Sequence, residues 1–100
     1  MDARNLKQIL IEEMRKYAGE GLNAHSYLTE NEAEKLYTIV DIANVRGKRI
    51  IGTVLVARLQ VDRIIIELDH NNKPLADALI ARGIPEENLV LAYLDHTIPA

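Results

Sequence analysis

The longest stretch of apolar patterning runs from Arg49 to Leu68. Arg49-Ile-Ile-Gly-Thr-Val-Leu-Val-Ala-Arg-Leu59 and Val61-Asp-Arg-Ile-Ile-Ile-Glu-Leu68 are β-branched and apolar almost throughout, which predicts two strands. Only Gln60-Val61-Asp62 lies at the reversal, so the strands pair antiparallel, since a parallel return needs a crossover of about a dozen residues. Alternation predicts Ile50, Val54 and Val56 on one face of the first strand, and Ile51, Thr53, Leu55, Ala57 and Leu59 on the other. On the second, Ile64, Ile66 and Leu68 oppose Val61, Arg63, Ile65 and Glu67. Both faces are apolar in the middle, so one is expected to meet a helix and the other something more.

After Leu68 the cluster Asp69-His-Asn-Asn-Lys73 marks a loop. Asn72 is the expected N-cap and Pro74 the first turn of a short helix carrying Leu75, Ala76, Leu79 and Ile80. Gly83 fits a left-handed C′ position and Pro85 forbids continuation, so the helix stops near Arg82. Leu89-Val-Leu-Ala-Tyr93 then reads as a further strand or an extended segment on the core. Upstream, Leu36, Thr38, Val40 and Ile42 alternate with Tyr37, Ile39 and Asp41, a strand expected to pair with the one after Gly47. Ala3, Leu6, Ile9, Leu10, Met14 and Tyr17 form one helical stripe over Asp2–Ala18, capped by Asp2 and stopped by Gly19 and Gly21.

Arg49-Ile50-Ile51-Gly52, Ile64-Ile65-Ile66 to Asp69, Ala76-Asp77-Ala78-Leu79, Gly83-Ile84-Pro85 and Leu89-Val90-Leu91-Ala92-Tyr93 succeed one another without a gap. In this order they resemble the XisI-like proteins, the fdxN element excision controlling factors. Leu36–Val40 and the N-terminal helix are similar too, and the resemblance implies an additional strand of roughly Ala24 to Thr29. It further implies a role beside a site-specific recombinase and a companion XisH-like protein. The chain departs from the family pattern at Val56, Arg58 and Ile65, where His, Asp and Trp are frequent, at Glu86, at 70–73, and in a reduced tail from Leu94 to Ala100.

One hundred residues make one domain, 1–100, with a single core. That core lacks Phe and Trp, so Ile, Leu, Val, Ala and four tyrosines must fill it. With no cysteine there is no disulfide, thiolate metal site or cysteine nucleophile. No apolar run reaches the length of a membrane span and the N-terminus lacks signal-peptide order, so a cytoplasmic protein is expected. The net charge of −3 argues against binding DNA unaided, and against a homodimeric DNA-binding module. Arg46-Gly-Lys-Arg49 reads as a solvated turn, and Glu30, Glu32 and Glu34 as a charged one.

No catalytic, cofactor or metal constellation emerges. Glu67-Leu68-Asp69 lacks the lysine of a restriction-type nuclease, and His25, His70 and His96 have no third ligand at useful spacing. The lone strand glycine Gly52 reads as a bulge or a close backbone approach.

The sequence thus predicts an α+β domain: an N-terminal helix, an antiparallel sheet of three or four strands, a short helix and a terminal apolar segment. Its expected role is a non-enzymatic, partner-binding factor, which could also self-associate, with Ile50, Val54, Val56, Ile64, Ile66 and Leu75 as candidate partner surface. The alternatives are an antitoxin-like nuclease inhibitor and a small metal-dependent enzyme around the Asp69-His70 turn.

Overall fold

The computed structural model describes residues 3–94. Helix α1 (Ala3–Arg15) presents Leu6, Leu10 and Met14 as one fully buried stripe, as the periodicity predicts. It ends earlier than expected because the chain tightens after Arg15. The amides of Lys16, Tyr17 and Ala18 donate to the carbonyls of Glu13, Met14 and Arg15, each three residues back, before Gly19 takes φ 124°.

Six strands follow in one sheet among the described residues, in chain order: β1 (Gly19–Gly21), β2 (Ala24–Asn31), β3 (Leu36–Val45), β4 (Lys48–Gln60), β5 (Arg63–Asp69) and β6 (Leu89–Leu91). The expectation of three or four strands is therefore corrected to six, and the sheet is mixed. The first five pair antiparallel, but β6 lies parallel to β5, with helix α2 (Leu75–Ala81) and a 3-10 turn (Glu86–Asn88) as the crossover.

Two bulges break the simple alternation. The β3–β4 register shifts between Ile39 and Val40, leaving Val54 as the extra residue, so Val54 and Leu55 both turn toward the core while Val56 faces away. The β4–β5 register shifts past Glu67, which places Leu68 opposite Val56 rather than on the face of Ile64 and Ile66. Gly52 lies on the open part of β4 with free space where a Cβ would stand, so it makes no close approach.

Both helices cover one face of the sheet. Leu6, Leu10 and Met14 of α1 and Leu75 and Leu79 of α2 join Tyr37, Ile39, Leu55, Ala57, Ile64 and Ile66 in a single core. Helix α2 is delimited by side-chain and backbone chemistry at both ends. Pro74, not Asn72, stands at the N-cap position and offers no side-chain acceptor; Asp69 fills that role from the end of β5, its Oδ2 accepting from the Leu75 amide at 2.7 Å and its Oδ1 from the Asn71 amide at 3.0 Å. At the other end Gly83 takes φ 93°, and the amides of Gly83 and Ile84 donate to Ile80 and Leu79, with Ile84 buried against the core. This is a Schellman stop where the glycine and proline predict one.

Candidate interaction surface

The predicted partner surface does not hold together. Ile64, Ile66 and Leu75 are fully buried under the helices and belong to the core. Val54 is half-buried against that core because of its bulge, Val56 is half-buried on the opposite face, and Ile50 is exposed. Simple alternation puts Ile50, Val54 and Val56 on one face, but the bulge at Val54 divides them between two.

The register identifies a different surface, the sheet face away from the helices. Val40 lies opposite Tyr27 on one side and Thr53 on the other, while Ile42 lies opposite His25 and Ile51. Tyr27 and Ile51 are 46% and 65% exposed in mid-strand; Val40 and Ile42 between them are half-buried. The rings of His25 and Tyr27 lie 4.3 Å apart, and the hydroxyls of Thr29 and Thr38 hydrogen-bond across the strand pair. Toward β5 this face closes. Arg58 and Glu67 form a 2.7 Å ion pair, and Ile65, opposite Arg58 and Val90, is nearly buried. The apolar area is thus open over β2, β3 and the first half of β4, a distribution characteristic of an interaction surface.

The β3–β4 turn extends this surface with charge. Arg46, Lys48 and Arg49 are exposed and make no ion pair among the described residues, in a chain whose net charge is −3. Exposed Val45 and Ile50 flank them.

The Asp69-His70 turn has a structural role. Besides capping α2, Asp69 Oδ1 accepts from Asn71 Nδ2 at 2.8 Å, while the His70 amide donates to the Val54 carbonyl and its side chain is exposed. Among the described residues no three His, Asp or Glu side chains are placed to hold a metal ion. His25 is partly exposed beside Glu20, and His96 lies outside the described residues.

A cleft of about 530 Å³ opens between α1 and the loop before α2, lined by Glu13, Lys16, Tyr17, Asn71, Asn72, Lys73 and Ala78. Its polar groups largely satisfy one another. Tyr17 donates to the Lys73 carbonyl at 2.6 Å, and burial raises its hydroxyl pKa, with Asp69 adding to the shift. Glu13 is buried yet paired with Lys16 at 2.9 Å and with Arg82 at 2.7 Å. Burial works to raise its pKa, but the hydrogen bonds from Lys16 and Arg82 outweigh it and hold the carboxyl below the ordinary value. Arg82 lowers Glu12 in the same way, assisted by Gln8.

The ion-pair arrangement sets a pH response. A carboxyl depressed in the folded state contributes stability above its unfolded pKa and loses it as pH falls through the folded one. Urea unfolding midpoints are expected to fall with acidification below about pH 5, and Arg82→Met is expected to flatten part of that dependence because it removes the cation the two glutamates share, while Lys16 still holds Glu13. An unchanged acid slope in the variant would show that the Arg82 contacts do not hold in solution.

The family model described as XisI protein matches residues 1–98. Two solved structures from Anabaena variabilis ATCC 29413 share the fold. A XisI-like protein is 17% identical, with a TM-score of 0.69 over 90% of this chain and 82% of the other. The fdxN element excision controlling factor XisI is 20% identical, with a TM-score of 0.63 over 91% of this chain and 88% of the other. No curated protein matches the chain.

Proposed function

The chain belongs to the XisI family, and we propose that it is a controlling factor in the excision of a DNA element, acting by holding a protein partner rather than by chemistry of its own. The observation that carries this reading is the helix-free sheet face, where Tyr27 and Ile51 stand exposed around half-buried Val40 and Ile42. An aromatic anchor among β-branched residues is the composition of a protein-binding core, and net negative charge opposes unaided attachment to DNA. The partner proposed is the XisH-like companion, which would in turn act beside a recombinase.

Co-expression with the companion, followed by light scattering, tests this. The expected result is a mixed complex that Tyr27→Glu dissolves while the variant's circular dichroism stays unchanged. Companion and chain eluting at their separate masses would overturn the proposal, as would DNA retardation by the chain alone with a steep salt slope.

A further inference from the structure

Strand β4 is 13 residues long, but β5 pairs with it only from Leu55 onward. Its first six residues, Lys48–Thr53, pair with β3 alone, and all six are exposed. Their other edge meets no strand among the described residues. The His70 amide, donating to the Val54 carbonyl at 2.9 Å, marks where the neighbouring chain turns away. Such an edge presents unpaired amides and carbonyls ready to accept another strand.

The remaining edges are guarded in the ways that usually discourage pairing. Strands β1 and β6 are 3 residues each, and the part of β2 beyond β1 ends in Glu30 and Asn31. By contrast, the open stretch of β4 is centred on Ile50 and Ile51, 53% and 65% exposed, one on each face.

We infer that Lys48–Thr53 is the surface on which two copies of this chain pair, antiparallel about a two-fold axis through Ile51, so that the sheet continues from one copy into the other. A two-fold axis perpendicular to a sheet preserves its faces, so residues meeting across the axis must come from the same face. With the axis at Ile51, Ile51 meets its own counterpart, Ile50 meets Gly52 and Arg49 meets Thr53. Each of these pairs is compatible. Gly52 leaves room for the branched Ile50, and free space surrounds it. The cations Arg46, Lys48 and Arg49 of the two copies run to opposite ends, so no like charges face each other, whereas a parallel pairing in register would set Arg49 against Arg49. The pairing buries Ile50 and Ile51 and satisfies the open edge in one step. It uses the backbone edge of β4, and although Ile51 also borders the face proposed for the companion, Tyr27 lies two strands away from that edge, so Tyr27→Glu is expected to leave this pairing intact.

The chain contains no cysteine, which permits a direct test of the register. Residues directly opposed in an antiparallel pair have Cα atoms about 4.5–5.5 Å apart, inside the span a disulfide bridges. Wild-type protein is expected to scatter at twice its 11.3 kDa mass at rising concentration. Ile51→Cys is expected to form a disulfide-linked dimer under mild oxidation, whereas Val61→Cys, at the exposed tip of the next hairpin, is not. Ile51→Lys, which sets two ammonium groups face to face, is expected to weaken dimerisation roughly tenfold or more with unchanged circular dichroism. A wild-type monomer at all concentrations overturns the inference. So does a dimer that Ile51→Cys fails to cross-link. Growing assemblies also overturn it, because they would mean that this edge adds head-to-tail onto another edge, such as Tyr27–Asn31.

Discussion

Leu10→Ala is expected to destabilise the protein by about 2–5 kcal/mol, lowering the melting temperature by roughly 10–30 °C for a domain of this size. Leu10 is fully buried at the centre of the α1 stripe, between Leu6 and Met14. A helix of 13 residues is marginal in isolation, so α1 exists because that stripe is packed against the sheet and α2. Removing the middle residue leaves a cavity that its neighbours, held by strands, can close only in part. Tyr27→Ala, a larger truncation on the helix-free face, is the comparison; it is expected to change the midpoint by much less, because Tyr27 is half exposed. Thermal unfolding followed by circular dichroism measures both. A shift of a few degrees or less for Leu10→Ala would show that α1 is not docked as described.

Asp69→Ala is the second large effect, expected at about 1–3 kcal/mol, the penalty for leaving amide donors without an acceptor. One carboxylate serves the Leu75 amide, the Asn71 amide and the Asn71 side chain, and so fixes both the loop and the start of α2. Asp69→Asn retains one acceptor oxygen and is expected to recover part of the loss. The same pair of variants separates a structural aspartate from a metal-binding one. A structural role predicts a lower urea midpoint that added divalent metal does not restore; an unchanged midpoint with metal-dependent stabilisation of the wild type alone would favour the metal reading.

Much of this fold is legible in the sequence because the signals are local. The β4–β5 hairpin follows from two β-branched runs with almost nothing between them, and the end of α2 follows from Gly83 and Pro85. Strand β1 is not legible. Gly-Glu-Gly has no periodicity and becomes a strand only because β2 offers it an edge. The parallel placement of β6 likewise depends on where α2 delivers the chain, not on the Leu89–Leu91 run itself. The division of β4 between two faces is not legible either, for a geometric reason. A bulge adds one residue and reverses every side chain beyond it, and nothing in Thr53-Val-Leu-Val-Ala57 marks which residue is the extra one. The acceptor for the first amide of α2 is equally hidden: Asn72 is closer to the helix in sequence, but the strand end carries Asp69 to the Leu75 amide.

The chain-order sheet also bears on how the protein folds. From β1 through β5 every strand pairs with its immediate successor, so those contacts close short loops and incur little entropic penalty. Helix α1 is the exception, since its partners on β5 and α2 lie some fifty or more residues downstream. Speed should therefore be a property of the meander, and the late, rate-modulating event the return of the N-terminal helix to a sheet already formed. On that sequence of events, weakening the α1 stripe shortens the lifetime of the native state more than it delays its arrival.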